Sequence, residues 1–114
     1  MARKILRRGI YWANLDPTVG SEQSGTRPVL IASIDGYNLN SNTAIAFAIT
    51  SQEPRAKYPL TYQLPENLLP KPSWVKIPQI RLLSLRRISQ YIATIEEDDF
   101  RQIMQGFNSI CGLN

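Results

Sequence analysis

Eight prolines, all between Pro17 and Pro78, cut the chain up to that point into short segments, none of which sustains the apolar period of a helix. What lies between them reads as strand. Ile10-Tyr-Trp-Ala-Asn-Leu15 alternates well enough for a first strand and stops at Asp16-Pro17. Thr18 to Thr26 is a polar loop of turn formers, and Pro28 to Ser33 is a short, continuous, β-branched run of the kind buried strands use, with Pro28 at its first position where no ladder donor is missed. Asp35 to Asn42, dense in Gly and Asn, reads as a second loop leading into a third strand, Thr43 to Ile49. Leu60 to Leu64 alternates as a half-exposed strand. Pro65, Pro70 and Pro72 then impose a rigid irregular excursion. Trp74 to Ile77 and Gln79 to Leu83 are strand segments bent at Pro78, and Ile88 to Ala93 is the last strand.

The pattern changes at Thr94-Ile-Glu-Glu97, a capping-box signature followed by acids at Asp98 and Asp99 that suit the positive end of a helix dipole. Phe100, Ile103, Met104, Phe107, Ile110 and Cys111 then recur at helical spacing as one apolar stripe, which makes Cys111 a core-facing position. At 114 residues there is room for one domain, 1–114, and 43% hydrophobic with 19% charged residues is ordinary for a folded chain. The expected fold is mainly β with α: short, mostly antiparallel strands in a curved sheet or small barrel with a C-terminal helix. The longest apolar run, Thr43 to Ile49, is far below the roughly 20 residues of a membrane span, and no signal-peptide core follows the basic N-terminus, so a cytoplasmic protein without a membrane partner is expected.

The residue inventory removes much chemistry. There is no histidine, which excludes His-based triads, paired-histidine ribonuclease chemistry and nearly all zinc sites. Before the terminal helix the acids Asp16, Glu22, Asp35, Glu53 and Glu66 stand apart, unlike the clustered carboxylates of two-metal nucleases, and no phosphate-binding glycine pattern occurs. No metal and no cofactor is expected. The net charge of +4 favours a polyanionic partner, and Tyr11, Trp12, Tyr58 and Trp74 are available to stack on unpaired bases. Arginine, hydroxyls and backbone amides remain, and RNA cleavage needs little else. The substrate carries its own nucleophile, the 2′-OH, so holding it in line and stabilising charge on the phosphoryl oxygens is most of the task.

From Arg8 to Ile31 the run Arg-Gly-Ile-Tyr-Trp-Ala-Asn-Leu-Asp-Pro-Thr-Val-Gly-Ser-Glu-Gln-Ser-Gly-Thr-Arg-Pro-Val-Leu-Ile closely resembles the MazF/PemK-like family of toxin endoribonucleases. The combination of Asp-Pro-Thr, Gly-Ser-Glu-Gln and Arg-Pro-Val at these spacings is far more specific than any single short motif. Ala48-Ile-Thr-Ser51 looks like that family's second active-site strand, Tyr58-Pro-Leu its next strand entry, and Gln79-Ile-Arg81 its Gln-[Ile/Val]-[Arg/Lys] segment. The resemblance covers nearly the whole chain. It implies an SH3-like barrel of five to seven strands, a homodimer, single-stranded RNA (messenger RNA) as substrate, a cognate antitoxin whose flexible tail blocks the RNA groove, and contact with DNA only indirectly through that antitoxin.

Carried over residue by residue, the family's catalytic arginine falls on Arg27, to stabilise the phosphorane-like transition state and as a candidate to move a proton, and its catalytic threonine on Thr50, to hydrogen-bond the phosphoryl group. Ser21, Glu22, Gln23, Ser51, Gln79 and Arg81 are candidate RNA contacts, with Gly20 to Gly25 as a loop over the substrate. Simpler readings stand beside these: Arg27 as an ion-paired strand start, Thr50 as an ordinary β-branched strand residue, the glycine loop as a plain hairpin, Arg81 as a solvated cation. The chain departs from the family at Pro65 to Pro72, which replaces a usually glycine-bearing loop, and at Pro78, where an acidic residue commonly precedes the Gln. Two other functions share these features: a non-enzymatic, gyrase-poisoning toxin on the same barrel, which does not use the arginine–threonine pair, and an RNA-binding module without turnover.

Overall fold

The computed structural model describes residues 4–16 and 25–113. Six strands, β1 (Gly9–Asn14), β2 (Thr26–Ile31), β3 (Thr43–Thr50), β4 (Thr61–Gln63), β5 (Trp74–Ser84) and β6 (Ile88–Thr94), form one antiparallel sheet in the order β4-β5-β3-β2-β1-β6. Two helices, α1 (Asp35–Ser41) and α2 (Glu97–Ile110), accompany it. The fold class expected from the proline-divided strands and the terminal helix is the one observed, and no helix among the described residues is long and apolar enough to cross a membrane.

The sheet buries both faces. On one, Ile10, Leu30, Phe47, Ile49, Val75 and Ile77 pack beneath Phe100 and Ile103 of α2, with Met104 and Phe107 partly buried at the margin. The helix approaches closely because Gly106 carries no side chain: a Cβ there would lie 3.0 Å from Ile77 Cδ1 and 3.1 Å from Tyr58 Cε1. On the other face Tyr11, Ala13, Val29, Ile31, Ala44, Ala46, Leu83 and Ile88 make a second core. Its alanines suit the inside of a strongly bent sheet, where facing strands leave little volume. Some of the bend is made in β5. Phe47 pairs with Ile80 but its neighbour Ala48 pairs with Lys76, so Ile77, Pro78 and Gln79 form a bulge. A proline lacks a ladder donor and is tolerated inside a sheet at such a bulge. The two segments expected on either side of Pro78 are therefore one long strand.

Four expectations are corrected. Asp35 to Asn42 is not a loop but α1, closed by Asn42 in the left-handed conformation. The helix owes little to propensity and much to Asn38, which is buried: its amide donates to Ile5 O (2.8 Å) and Ser33 O (3.2 Å), and it accepts from the Ser33 hydroxyl, which in turn accepts from the Ile45 amide. Replacing Asn38 by Leu strands these partners, and an unsatisfied buried group costs about 1–3 kcal/mol. The expected result is a melting temperature lower by roughly 5–15 °C, read by thermal denaturation. The capping box does not form, because Thr94 ends β6 and its hydroxyl bonds that of Tyr91, while Glu96 caps α2 without a side-chain bond. Cys111 is exposed beyond the last helical residue, past the end of the core. Pro28 is the third residue of β2, not the first.

Candidate functional site

The excess of basic residues is partly structural. The Arg8 guanidinium donates to Ile95 O (3.0 Å), Arg7 donates to Ala32 O (3.2 Å) and stacks on Phe100 at 4.8 Å, and Arg87 donates to the carbonyls of Asn14 and Asp16. The last contact tethers the end of β1. There, Leu15 N donates to Gly25 O and Gly25 N to Asp16 Oδ1, at 2.9 Å each, so the chain leaves and rejoins the sheet across a closed neck that presents Thr26 and Arg27 as the start of β2.

Arg27 pairs with Ala13 on one side. On the other, the β2–β3 ladder runs from Ile31↔Ala46 through Leu30↔Phe47 to Val29↔Ala48. It stops beside Pro28, which has no N–H to add to a ladder. Carrying this register two residues further sets Arg27 opposite Thr50, on the same face of the sheet, at the open ends of the two strands. The register, so continued, sets opposite each other two residues that stand 23 positions apart in the sequence. The Thr50 hydroxyl accepts from the Gln52 amide (3.1 Å), which fixes its rotamer and leaves its own O–H to donate.

Arg27, though not Thr50, lines a cleft of about 380 Å³, bounded on one side by Trp12, Thr26 and Pro28, with Ile49 and Ser51 between, and closed on the other by Leu69, Pro70, Lys71 and Ser73. The second wall is the proline-rich excursion, which is irregular as expected. Leu64 and Leu69 anchor it in the core, and Leu64 N donates to Ser73 O (2.9 Å) at its neck. Arg27 and Lys71 face the cleft from opposite walls, and none of the described residues lining it is a carboxylate, so its field suits an anionic chain. Among the described residues no group of three or more Asp, Glu or Cys side chains gathers to hold a metal ion.

The other candidates divide. Ser51 is exposed in the cleft. Arg81 pairs with Ala46, on the face that carries Thr50 but four residues along β3, about 13 Å at 3.3 Å per residue. Gln79 sits in the β5 bulge. Neither belongs to the immediate Arg27–Thr50 pair. Ser21, Glu22 and Gln23 lie outside the described residues. Lys71 went unrecognised in the sequence, where its only signal was a cation held between two prolines.

A family model described as PemK-like, MazF-like toxin of type II toxin-antitoxin systems matches residues 6–111. Among solved structures, the chain is similar to MazF from Deinococcus radiodurans, with a TM-score of 0.85, 27% identity, and coverage of 97% of this chain and 99% of that one. It also resembles a chain of the MazE-MazF complex from the same organism, with a TM-score of 0.78, 25% identity and coverage of 99% and 100%. A mycobacterial endoribonuclease in complex with its cognate antitoxin shares the fold at a TM-score of 0.78 and 21% identity, over 96% and 97% of the two chains.

Proposed function

The chain belongs to the PemK-like, MazF-like toxins of type II toxin-antitoxin systems, and on that premise we propose that it is a metal-independent, sequence-preferring endoribonuclease acting on single-stranded RNA, messenger RNA in the cytoplasm above all. What supports this reading is a β2–β3 register that, continued past Val29↔Ala48, sets Arg27 opposite Thr50, with Arg27 and Lys71 lining a cationic cleft. The substrate's 2′-oxygen attacks the adjacent phosphorus, forming the O2′–P bond and breaking the P–O5′ bond. One proton leaves the 2′-OH and one is delivered to the 5′-oxygen. The products are a 2′,3′-cyclic phosphate and a 5′-hydroxyl, with no water consumed. The Arg27 fork offsets the charge that builds on the equatorial oxygens, and the Thr50 O–H donates to one of them. Ser51 and Lys71, with the segment containing Ser21, Glu22 and Gln23, hold the strand in the cleft. Gln79 and Arg81 serve more distant phosphates.

The working unit is a homodimer. Its partner is a cognate antitoxin that covers the RNA groove, a role supported by the MazE-MazF complex of the Deinococcus relative, and DNA enters only through that partner.

Two substitutions, one in the substrate and one in the protein, test the chemistry. An RNA with a single 2′-deoxy nucleotide at the cut lacks the nucleophile and should resist cleavage there while other sites are still cut. Cleavage at the deoxy position would require a different attacking group and would end this mechanism. Thr50→Val keeps the β-branched shape and removes the donor, so kcat should fall about 100-fold, the usual effect of losing one transition-state hydrogen bond, with the melting temperature held.

A further inference from the structure

A second cleft, of about 290 Å³, lies at the outer edge of the sheet on the far side of Thr50 from Arg27; Tyr58, Tyr62, Gln63 and Trp74 line it, with one acid, Glu53, and one base, Lys57, whose charges offset each other. Its relation to the cutting site follows from register. Thr50 pairs with Trp74, and Trp74 pairs with Gln63. Directly paired residues share a face, so Thr50, Trp74 and Gln63 form one row across β3, β5 and β4, at about 4.8 Å per strand, and continuing the β2–β3 register adds Arg27 at its far end. The indole lies one strand from the hydroxyl that contacts the phosphoryl group. A base attached to a nucleotide bordering the cut is within that reach.

The polar groups of this cleft are unequally available. The Tyr62 hydroxyl donates to Asp99 Oδ1 (2.6 Å), and its pKa is pushed up from the usual 10, first by burial and then by that carboxylate. The Tyr58 hydroxyl donates to Gln102 O (2.8 Å). Tyr62 therefore braces α2 against β4, Tyr58 braces it against the segment that leads into β4, and both line the cleft. Gln63 is exposed, carries a donor and an acceptor side by side, and is paired directly with Trp74 across β4 and β5. An aromatic face with an adjacent amide is the chemistry that holds an unpaired base, by stacking and by its edge.

We propose that Trp74 is the stacking platform for the RNA base next to the scissile phosphate and that Gln63 reads that base's edge. This rests on the ribonuclease reading above, and extends it from where the chain is cut to how a flanking nucleotide is selected.

The test pairs protein and substrate changes. Base stacking on an aromatic side chain is worth about a 10- to 100-fold change in binding per base, so Trp74→Ala should lower kcat/KM about that much and Trp74→Phe much less. The loss should vanish on an RNA made abasic at one of the two positions flanking the cut, because a deleted contact cannot be deleted twice. Gln63→Leu should alter the nucleotide preference at that same position alone. A merely structural role for Trp74 would give the same loss on intact and abasic RNA, and that outcome overturns the proposal. Binding of an RNA blocked at the cut by 2′-O-methylation, followed by Trp74 fluorescence in the Trp12→Phe protein, reads the subsite without turnover. Quenching that depends on the flanking base supports the subsite even in a protein that does not cleave. Cleavage without any dependence on Trp74 removes the subsite and leaves the ribonuclease intact.

Discussion

Arg27→Ala is expected to lower RNA cleavage by at least about 1,000-fold, the scale on which a transition-state arginine acts in phosphoryl transfer, and to leave the fold unchanged. The reason is positional. Arg27 is exposed, outside both cores, and stands at the end of β2 where the ladder to β3 has stopped. Its removal opens no cavity. What is lost is a planar, permanently charged fork which, on the proposed mechanism, acts with the Thr50 hydroxyl on one phosphoryl group. Arg27→Lys retains the charge and loses the fork, so its rate should remain far below that of the unmodified protein, since a point charge does not reproduce a bidentate contact. Single-turnover rates on one RNA, beside thermal melts of each variant, read the two effects separately. An Arg27→Ala protein within tenfold of the unmodified rate contradicts the assigned role.

The largest loss of stability is expected from Phe47→Ala. Phe47 is fully buried at the centre of β3 and packs edge-to-face on Phe107 of α2, with ring centroids 6.0 Å apart. It joins β3 to the helix that covers that face. Truncation leaves a cavity that neighbours on rigid, paired strands cannot fill, at a cost of about 3–5 kcal/mol. Domains of this size are commonly stable by only 5–15 kcal/mol, to order of magnitude. The melting temperature should drop by roughly 15 °C, and α2 should lose amide-exchange protection first because it rests on the vacated side. A drop below about 3 °C would mean that the sheet and helix do not share one core.

The strands were legible because their signal is local: a β-branched run such as Val29-Leu-Ile31, or the alternation in β4, is bounded by turn residues within a few positions. Helix α1 was not, since its Gly36, Asn38 and Asn40 argue against helix and only tertiary bonds from Asn38 to Ile5 and Ser33 make one. Cys111 shows the converse failure. Its spacing from Phe107 fits a helical stripe, yet the helix ends at Ile110 and no core extends that far. At the site, Arg27 and Thr50 were named by resemblance and not by any local signal, because their meeting depends on a β2–β3 register that no short window contains. Lys71 was hidden for the same reason, and so was the row that sets Trp74, legible only as one of four aromatics able to stack on bases, between Thr50 and Gln63. A side chain in a proline-rich excursion has no periodicity to orient it, and a row across four strands is a property of pairing alone.

The central claim is that this chain cuts RNA by the substrate's own 2′-OH, assisted by Arg27. Its most direct test is incubation of the purified protein with a long unstructured RNA in excess EDTA, beside Arg27→Ala, with chemical identification of the new ends. Discrete cuts bearing 2′,3′-cyclic phosphate and 5′-hydroxyl ends, present in chelator and absent with the variant, are the predicted result. No cleavage by demonstrably folded protein across several diverse RNAs, or cuts bearing 5′-phosphates, would contradict it.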